Sequence, residues 1–301
     1  MALRAPSDPA APSDTPGAAA SNAGLADAPF PARLERFEAV GSTNDVVAGW
    51  LRDGSPEISV AVADRQTAGR GRLGRTWAAP AGAALLLSAG FRPAWLAPER
   101  LWRLPGIVAL AMADAAEQVA GLAEGTIRLK WPNDLVVAFG TTGRPVGGGS
   151  AIGPETPIDV RKLAGILGES DGLGTADLGV VVGIGINADW ARGDFPPELA
   201  PDMTSLREAS GGRPIDREVL LEAFLDRLET RAEALRGGYF DIAGWTARQL
   251  TSGRRVRLEL PDGTSELVRA IGVDALTGAL VLDGERHVLV GEIRHLRVAG
   301  V

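Results

Sequence analysis

The sequence predicts a mixed β-sheet combined with helices, followed by a small all-β barrel or sandwich at the C-terminus. Between residues 34 and 250, apolar runs of strand length alternate with runs recurring at helical spacing, the pattern of a sheet with helices packed on it. Over the last fifty residues that spacing gives way to short alternating segments split by glycine turns. No segment repeats at a fixed period, so a solenoid or propeller is not proposed. At 301 residues the chain has room for about two domains of roughly 150 residues, with a core that needs no staples.

Residues 1–31, dominated by Ala, Pro, Ser and Gly, bury too little surface to offset ordering entropy and read as a disordered tail. Prolines and aspartates interrupt any apolar stretch of the about 7–15 residues a secretory signal needs, so a cytoplasmic location is expected. An extended segment from Leu34 to Val40 leads to a helix from Thr43 to Arg52 with Ser42 as its N-cap. Ser59 to Asp64 reads as a strand, and a Gly/Arg loop from Gln66 to Thr76 feeds a buried strand from Ala83 to Ala89. A helix follows from Pro98 to Val119, with Pro105 and Gly106 expected to kink or break it. Strands are expected at Ile127–Trp131, Asp134–Val137, Lys162–Glu169 and Val180–Ile186. The segment from Phe139 to Asp159, rich in Gly, Pro and Thr, reads as a mobile hairpin extension or insertion. Val219, Leu220, Phe224, Leu228 and Leu235 recur at helical spacing, which predicts one long helix and a shorter one within residues 215–250. Strands at Arg255–Leu260, Glu266–Val273, Leu280–Leu282, His287–Val290 and Ile293–Val298 complete a separate domain over residues 251–301, beside a larger one over 32–250.

Composition narrows the chemistry. No run of about 18 apolar residues is present to span a bilayer, so no membrane partner is expected. A formal charge of −7 argues against a broad basic face for duplex nucleic acid. Cysteine is absent, which removes disulfides, thiolate nucleophiles and zinc or iron–sulfur clusters together. The two histidines, His287 and His295, lie within the last fifteen residues, so a histidine base in the body of the chain is excluded. Chemistry must run on lysine, arginine, carboxylate, amide or backbone groups. Among 31 basic residues only Lys130 and Lys162 are lysines, which marks two places where a compact ammonium is wanted. Asparagine is as sparse, at Asn22, Asn44, Asn133 and Asn187.

Four segments carry these residues. Gly69, Gly71 and Gly74 satisfy the G-x-G-x-x-G dinucleotide pattern, but the loop runs into a strand and not into the helix that pattern requires. Arg70, Arg72 and Arg75 alternate with those glycines, a composition suited to a polyphosphate or acyl-adenylate, and Trp77 offers a flat face for a base. Lys130 closes a strand before Asn133 and Asp134, whose oxygens suit Mg²⁺ accompanying a nucleotide, although an Asn-Asp pair after Pro132 is also an ordinary turn. Lys162 opens an apolar strand, where a lysine usually snorkels; its scarcity reverses that preference. Gly183-Ile-Gly-Ile-Asn187 ends a buried strand with one amide that suits an adenine edge.

Taken in order, Ser42-Thr43-Asn44, Gly69-Arg-Gly-Arg-Leu-Gly-Arg-Thr-Trp77, Lys130-Trp-Pro-Asn-Asp134, Lys162-Leu-Ala-Gly-Ile-Leu167 and Gly183-Ile-Gly-Ile-Asn187 resemble the biotin protein ligases over residues 33–187. The resemblance implies an α+β catalytic domain related to class II aminoacyl-tRNA synthetases, followed by an SH3-like barrel. It implies that biotin and Mg·ATP give biotinyl-5′-adenylate and pyrophosphate, after which a lysine of a biotin carboxyl carrier domain attacks; no tightly bound cofactor is implied. By the same resemblance, Ser42, Thr43, Asn44, Gln66, Gly69, Arg70, Arg72 and Lys162 line the biotin site. Arg70, Gly71, Arg72, Arg75, Trp77, Lys130, Asn133 and Asn187 match the ATP or adenylate site, and Asn133 with Asp134 the metal. Lys162, Arg72 and Lys130 are the expected catalytic cations, because bringing a carboxylate to a phosphate costs Coulomb energy unless cations are prearranged.

Nothing in the first 32 residues matches the DNA-binding helix-turn-helix of family members that double as repressors, so a ligase without that domain is expected. The stretch from Phe139 to Asp159 is longer than the family's connection, and Gly168 stands where a bulky apolar residue is usual before Glu169. Two alternatives remain at this level: a lipoate or octanoate ligase or transferase, and a biotin or adenylate sensor without turnover.

Overall fold

The computed structural model describes residues 29–147, 153, 156 and 158–289, with the backbone of 292–295. The proposed tail up to residue 28, residues 148–152, 154, 155 and 157 of the 139–159 segment, residues 290 and 291 and the chain end from 296 lie outside the described residues.

Seven strands form one sheet: β1 (Arg33–Val40), β2 (Ser59–Gln66), β3 (Ala84–Phe91), β4 (Ile127–Lys130), β5 (Asp134–Phe139), β6 (Asp159–Asp171) and β7 (Gly179–Asn187). Their order is β1-β2-β3-β7-β6-β5-β4, with β1 and β2 parallel and all other neighbours antiparallel. A parallel pair needs a crossover, and helix α1 (Thr43–Arg52) supplies it. Ser42 stands at the N-cap with an extended backbone, but its hydroxyl makes no capping bond; only its carbonyl enters the helix, accepting from the Val46 N–H.

The two faces of this sheet are covered unequally. Helices α2 (Arg103–Ala120) and α4 (Arg217–Arg236) lie on one face and bury Leu85, Leu87, Phe91, Leu104, Leu110, Ile184, Leu220 and Phe224 with their neighbours in the main core. On the opposite face α1 alone packs, burying Val47, Trp50 and Leu51 against Ala61 and Val181. Beyond α1 that face stays open, and the open part becomes the site.

The expected kink in the second helix does not form. Pro105 sits within the first turn of α2, where its missing N–H has no intrahelical partner to lose, and the chain before it is a short 3₁₀ turn, Pro98–Arg100. Val219 proves half exposed; Leu220, Leu221, Phe224, Leu228 and Leu235 form the buried face of α4. Two short helices follow the strands, α3 (Leu206–Ala209), capped by the Ser205 hydroxyl, and α5 (Ile242–Ala247). No described helix is long and apolar enough to cross a membrane.

After α5, Arg248 is buried and forks onto Glu117 (2.8 Å) and Asp114 (2.7 Å), while its carbonyl accepts from the Leu129 N–H. That anchor delivers the chain into a second, antiparallel sheet of β8 (Arg255–Glu259), β9 (Ser265–Val273), β10 (Leu280–Leu282), β11 (His287–Val288) and β12 (Glu292–His295), ordered β11-β10-β9-β8-β12. Its small core of Val256, Leu258, Ala270, Leu280 and Leu282 is completed by Trp131, from the β4–β5 turn of the first sheet. The Trp131 indole N–H donates to the Gly278 carbonyl (3.1 Å), and Trp102 donates to that of Leu276 (2.8 Å), so two indoles clamp one turn of the second sheet. Replacing Trp131 by Ala removes the centre of that core and should cost about 3–5 kcal/mol, whereas Trp131→Phe loses chiefly the hydrogen bond, about 1 kcal/mol. Denaturant unfolding, with amide exchange over residues 253–289, measures both.

Candidate active site

A cavity of about 270 Å³ opens on the uncovered half of the sheet. Its floor is made by glycines of β6 and β7. A Cβ at Gly185 would lie 2.5 Å from Nε1 of Trp77, one at Gly165 3.2 Å from both the Trp77 ring and Lys162 Nζ, and one at Gly183 2.1 Å from Asn44 Oδ1. Side chains are absent from the floor so that an indole, an ammonium and an amide can lie on the backbone itself.

Lys162 reaches this floor because β6 is bulged. Leu135 pairs with Ala164 and Val136 with Lys162, which leaves Leu163 without a partner. The extra residue shifts the alternation: Leu163, Ala164 and Ile166 all enter the core, while Lys162 and Gly165 share the cavity face. The Lys162 backbone is held on its other side by residues 202–204, its N–H donating to Asp202 and its carbonyl accepting from Thr204. The ammonium lies 2.7 Å from Asp134 Oδ1 and 5.4 Å from the Trp77 ring centroid. Although ion-paired, that carboxylate oxygen is buried without an aligned hydrogen bond. Lys130, in register opposite Asp134 across the β4–β5 turn, lines the same cavity. Asn133 clamps the turn to β6, its amide donating to the Ile166 carbonyl (2.8 Å) and its own carbonyl accepting from the Ile166 N–H.

At the other end, the start of α1 supplies a buried polar set. The Thr43 N–H and hydroxyl both donate to Gln66 Oε1 (2.7 and 3.0 Å), which leaves the Gln66 amide nitrogen to donate elsewhere. Ser88, the one polar residue of β3, lies within hydrogen-bond distance of Thr43 Oγ1 (2.7 Å) and Asn44 Oδ1 (2.6 Å). The Asn44 amide nitrogen donates to Glu169 (2.6 Å). Both ends of Asn44 are thus committed to protein.

Between the two ends, the Gly/Arg loop folds back on itself. Arg70 and Thr76 form an antiparallel bridge, the Trp77 N–H donates to the Gly69 carbonyl (3.0 Å) and the Gly71 N–H to that of Arg75 (2.6 Å). Gly69 is required because a Cβ there would meet the Trp77 carbonyl at 2.4 Å. Gly71, Arg72 and Arg75 line the cavity from the loop.

Ser42, Thr43, Asn44, Gln66, Arg70, Gly71, Arg72, Arg75, Trp77, Lys130, Asn133, Asp134 and Lys162 all line one cavity. Three of the expected site residues are placed otherwise. Gly69 is off the wall and closes the loop stem. Asn187 is fully buried behind the wall, its amide nitrogen holding the Thr204 carbonyl (2.9 Å) and its oxygen without a partner. Arg70 lines the cavity, but its guanidinium forks onto Asp45 (2.7 Å) and approaches Glu169 (3.2 Å). Sequence reasoning missed Ser88, whose signal was a lone hydroxyl in an apolar strand, and Leu199 and Met203, cavity-lining residues from a segment with no local signal.

The model of the biotin/lipoate A/B protein ligase family matches residues 37–187. A biotin–[acetyl-CoA-carboxylase] ligase of Mycobacterium tuberculosis is 35% identical over 271 residues, spanning 88% of this chain and 90% of that protein. The bifunctional ligase/repressor BirA of Bacillus spizizenii is 30% identical, spanning 82% of this chain and 68% of that protein. Among solved structures, the biotin protein ligase of Aquifex aeolicus in complex with biotin and ATP superposes with a TM-score of 0.65 at 25% identity, over 88% of this chain and 99% of that one. The chain belongs to the biotin/lipoate A/B protein ligase family, among its biotin protein ligases.

Ser88→Ala tests the polar set directly. It removes the buried hydroxyl that lies between Thr43 Oγ1 and Asn44 Oδ1 and should destabilise the protein by about 1–3 kcal/mol, read by urea unfolding.

Proposed function

We infer that this chain is an ATP-dependent biotin protein ligase, which joins biotin to AMP and then transfers it to a lysine of a biotin carboxyl carrier domain. The observation that carries this reading is the sharing of one cavity by a neutral polar set at the start of α1 and by cations from three separate elements: the Gly/Arg loop, the end of β4 and β6. The neutral set suits an uncharged ureido ring, and the cations suit a carboxylate meeting a triphosphate. Similarity to named biotin ligases, and to one solved with biotin and ATP, favours biotin over lipoate and turnover over sensing.

In the first step the biotin carboxylate attacks the α-phosphorus of ATP, and pyrophosphate leaves with the electron pair of the broken P–O bond. Lys162, anchored at the floor by Asp134, sits where it neutralises the carboxylate and then the adenylate oxygens; Arg72, Arg75 and Lys130 offset the charge of the phosphates. In the second step the carrier's neutral lysine amine attacks the acyl carbon, and AMP departs. No enzyme nucleophile is needed, which agrees with a chain that has no cysteine. Thr43 and the Gln66 amide nitrogen are the groups that address the ureido ring. The Trp77 indole, resting against Gly165 and Gly185, is a stacking surface for adenine.

Magnesium fits the donors present. Asp134 and Asn133 stand side by side on the cavity wall, and although Asp134 Oδ1 is paired with the Lys162 ammonium (2.7 Å), a carboxylate has a second oxygen to offer. A single carboxylate is the set expected for an ion carried mainly by ATP phosphates, where its charge eases approach of the carboxylate. We also read the seven-stranded domain as a relative of the class II aminoacyl-tRNA synthetases and the C-terminal module as an SH3-like barrel, a reading its single small core supports.

Biotin-dependent ATP–pyrophosphate exchange tests the reaction. The wild-type chain is expected to exchange, lipoate is not expected to replace biotin, and Lys162→Ala is expected to lose at least a hundredfold in rate, the order of one lost electrostatic stabiliser. Absence of biotin-dependent exchange in the wild type defeats the reading. Arg72→Gly is expected to release the adenylate, so that bystander lysines are labelled; labelling confined to the carrier domain would show that Arg72 does not retain it.

A further inference from the structure

Arg70 lies in the loop that faces the substrates, yet its guanidinium is turned away from the cavity centre. Nη1 and Nη2 donate to the two oxygens of Asp45 on α1 (2.8 and 2.7 Å), and Nη2 also approaches Glu169 on β6 at 3.2 and 3.4 Å. Glu169 is itself fixed by the Asn44 amide nitrogen (2.6 Å). One planar fork thus ties the loop to two elements of the rigid body, in the paired geometry that arginine makes and lysine does not. The tie is placed at the stem. Arg70 pairs with Thr76, so the cavity-lining residues Gly71, Arg72 and Arg75 belong to the tip beyond it.

The geometry points to Arg70, Asp45 and Glu169 as a latch: Arg70 is a positioning residue that holds the Gly/Arg loop closed over the cavity and so places Arg72 on the substrate. The inference rests on the ligase reading for its consequence, retention of the adenylate, but not for the latch itself. The Arg70 guanidinium holds the Asp45 carboxyl below its ordinary value, so the pair stays charged at neutral pH. All three side chains are between a third and two thirds exposed. A pair of that kind contributes little to global stability and is screened by salt. Its effect therefore falls on the loop, whose closure is a local equilibrium.

Asp45→Asn is the test, since Asp45 lies outside the cavity and the substitution keeps the shape of the side chain. In the substrate-free protein at low salt, trypsin is expected to cut after Arg72 or Arg75 about two- to fivefold faster in the variant, the factor that loss of one exposed pair supports. Asp45→Glu, which retains the carboxylate, is expected to stay near wild type. In about 1 M salt the wild type is expected to approach the variant, because screening removes the same interaction. Preformed biotinyl-adenylate, chased with unlabelled biotin, is expected to leave the variant faster by a similar factor, while the rate of pyrophosphate exchange stays within twofold. Equal cleavage of wild type and Asp45→Asn at low salt, or a difference that persists unchanged in high salt, overturns the latch. Cleavage decides this even where the wild type shows no biotin-dependent exchange, an outcome that defeats the ligase reading alone.

Discussion

The site depends on backbone left bare. A sheet buries its faces by covering them with side chains and helices, and here α1 covers one end of a face while glycines keep the rest of β6 and β7 free of Cβ atoms at Gly165, Gly183 and Gly185. Every feature of the cavity is set by what rests on that surface. Trp77 lies on two of these glycines, Asn44 on the third, and Lys162 approaches close enough to the first to meet both the indole and Asp134. A methyl group at any of the three displaces one of these groups, so the glycines are as much part of the chemistry as the cations.

The second determinant is phase. Strand alternation puts residues two apart on one face, and an unbroken β6 would send Lys162 to the core side with Ala164 and Ile166. The bulge at Leu163 moves the lysine to the cavity and buries one more apolar side chain, so a local irregularity is stabilised by the same packing that holds the sheet together. Trp131 plays the corresponding part between the two sheets. Its side chain completes the core of the C-terminal sheet while its neighbours Lys130, Asn133 and Asp134 line the cavity, which joins the stability of the small module to the geometry of the β4–β5 turn.

The loop that carries Arg72 works by division of labour. Glycines let it fold back tightly, as the contact of Gly69 with the Trp77 carbonyl requires, and its arginines are placed differently. Arg72 and Arg75 belong to the tip and the cavity; Arg70 belongs to the stem and is held by carboxylates from α1 and β6. Glycine and arginine alternate in the sequence, and the alternation conceals this difference.

Local sequence determined the elements and the inventory. Strand and helix periodicity located β1 to β7 and the long helices, and the rarity of lysine singled out Lys130 and Lys162, both of which line the cavity. What the sequence left open follows from contacts distant along the chain. Pro105 reads as a kink until the start of α2 is seen to fall just before it, and Arg70 reads as a phosphate ligand until Asp45 and Glu169 are found beside it, 25 and 99 positions away. Asn187 lies behind the wall, where its amide holds the Thr204 carbonyl, and Ser88 enters the site because β3 runs beneath α1. Composition and spacing report which groups a chain owns and which face each strand offers; which carboxylate finds which guanidinium is decided by sheet order and by one bulge, and both are properties of the assembled fold.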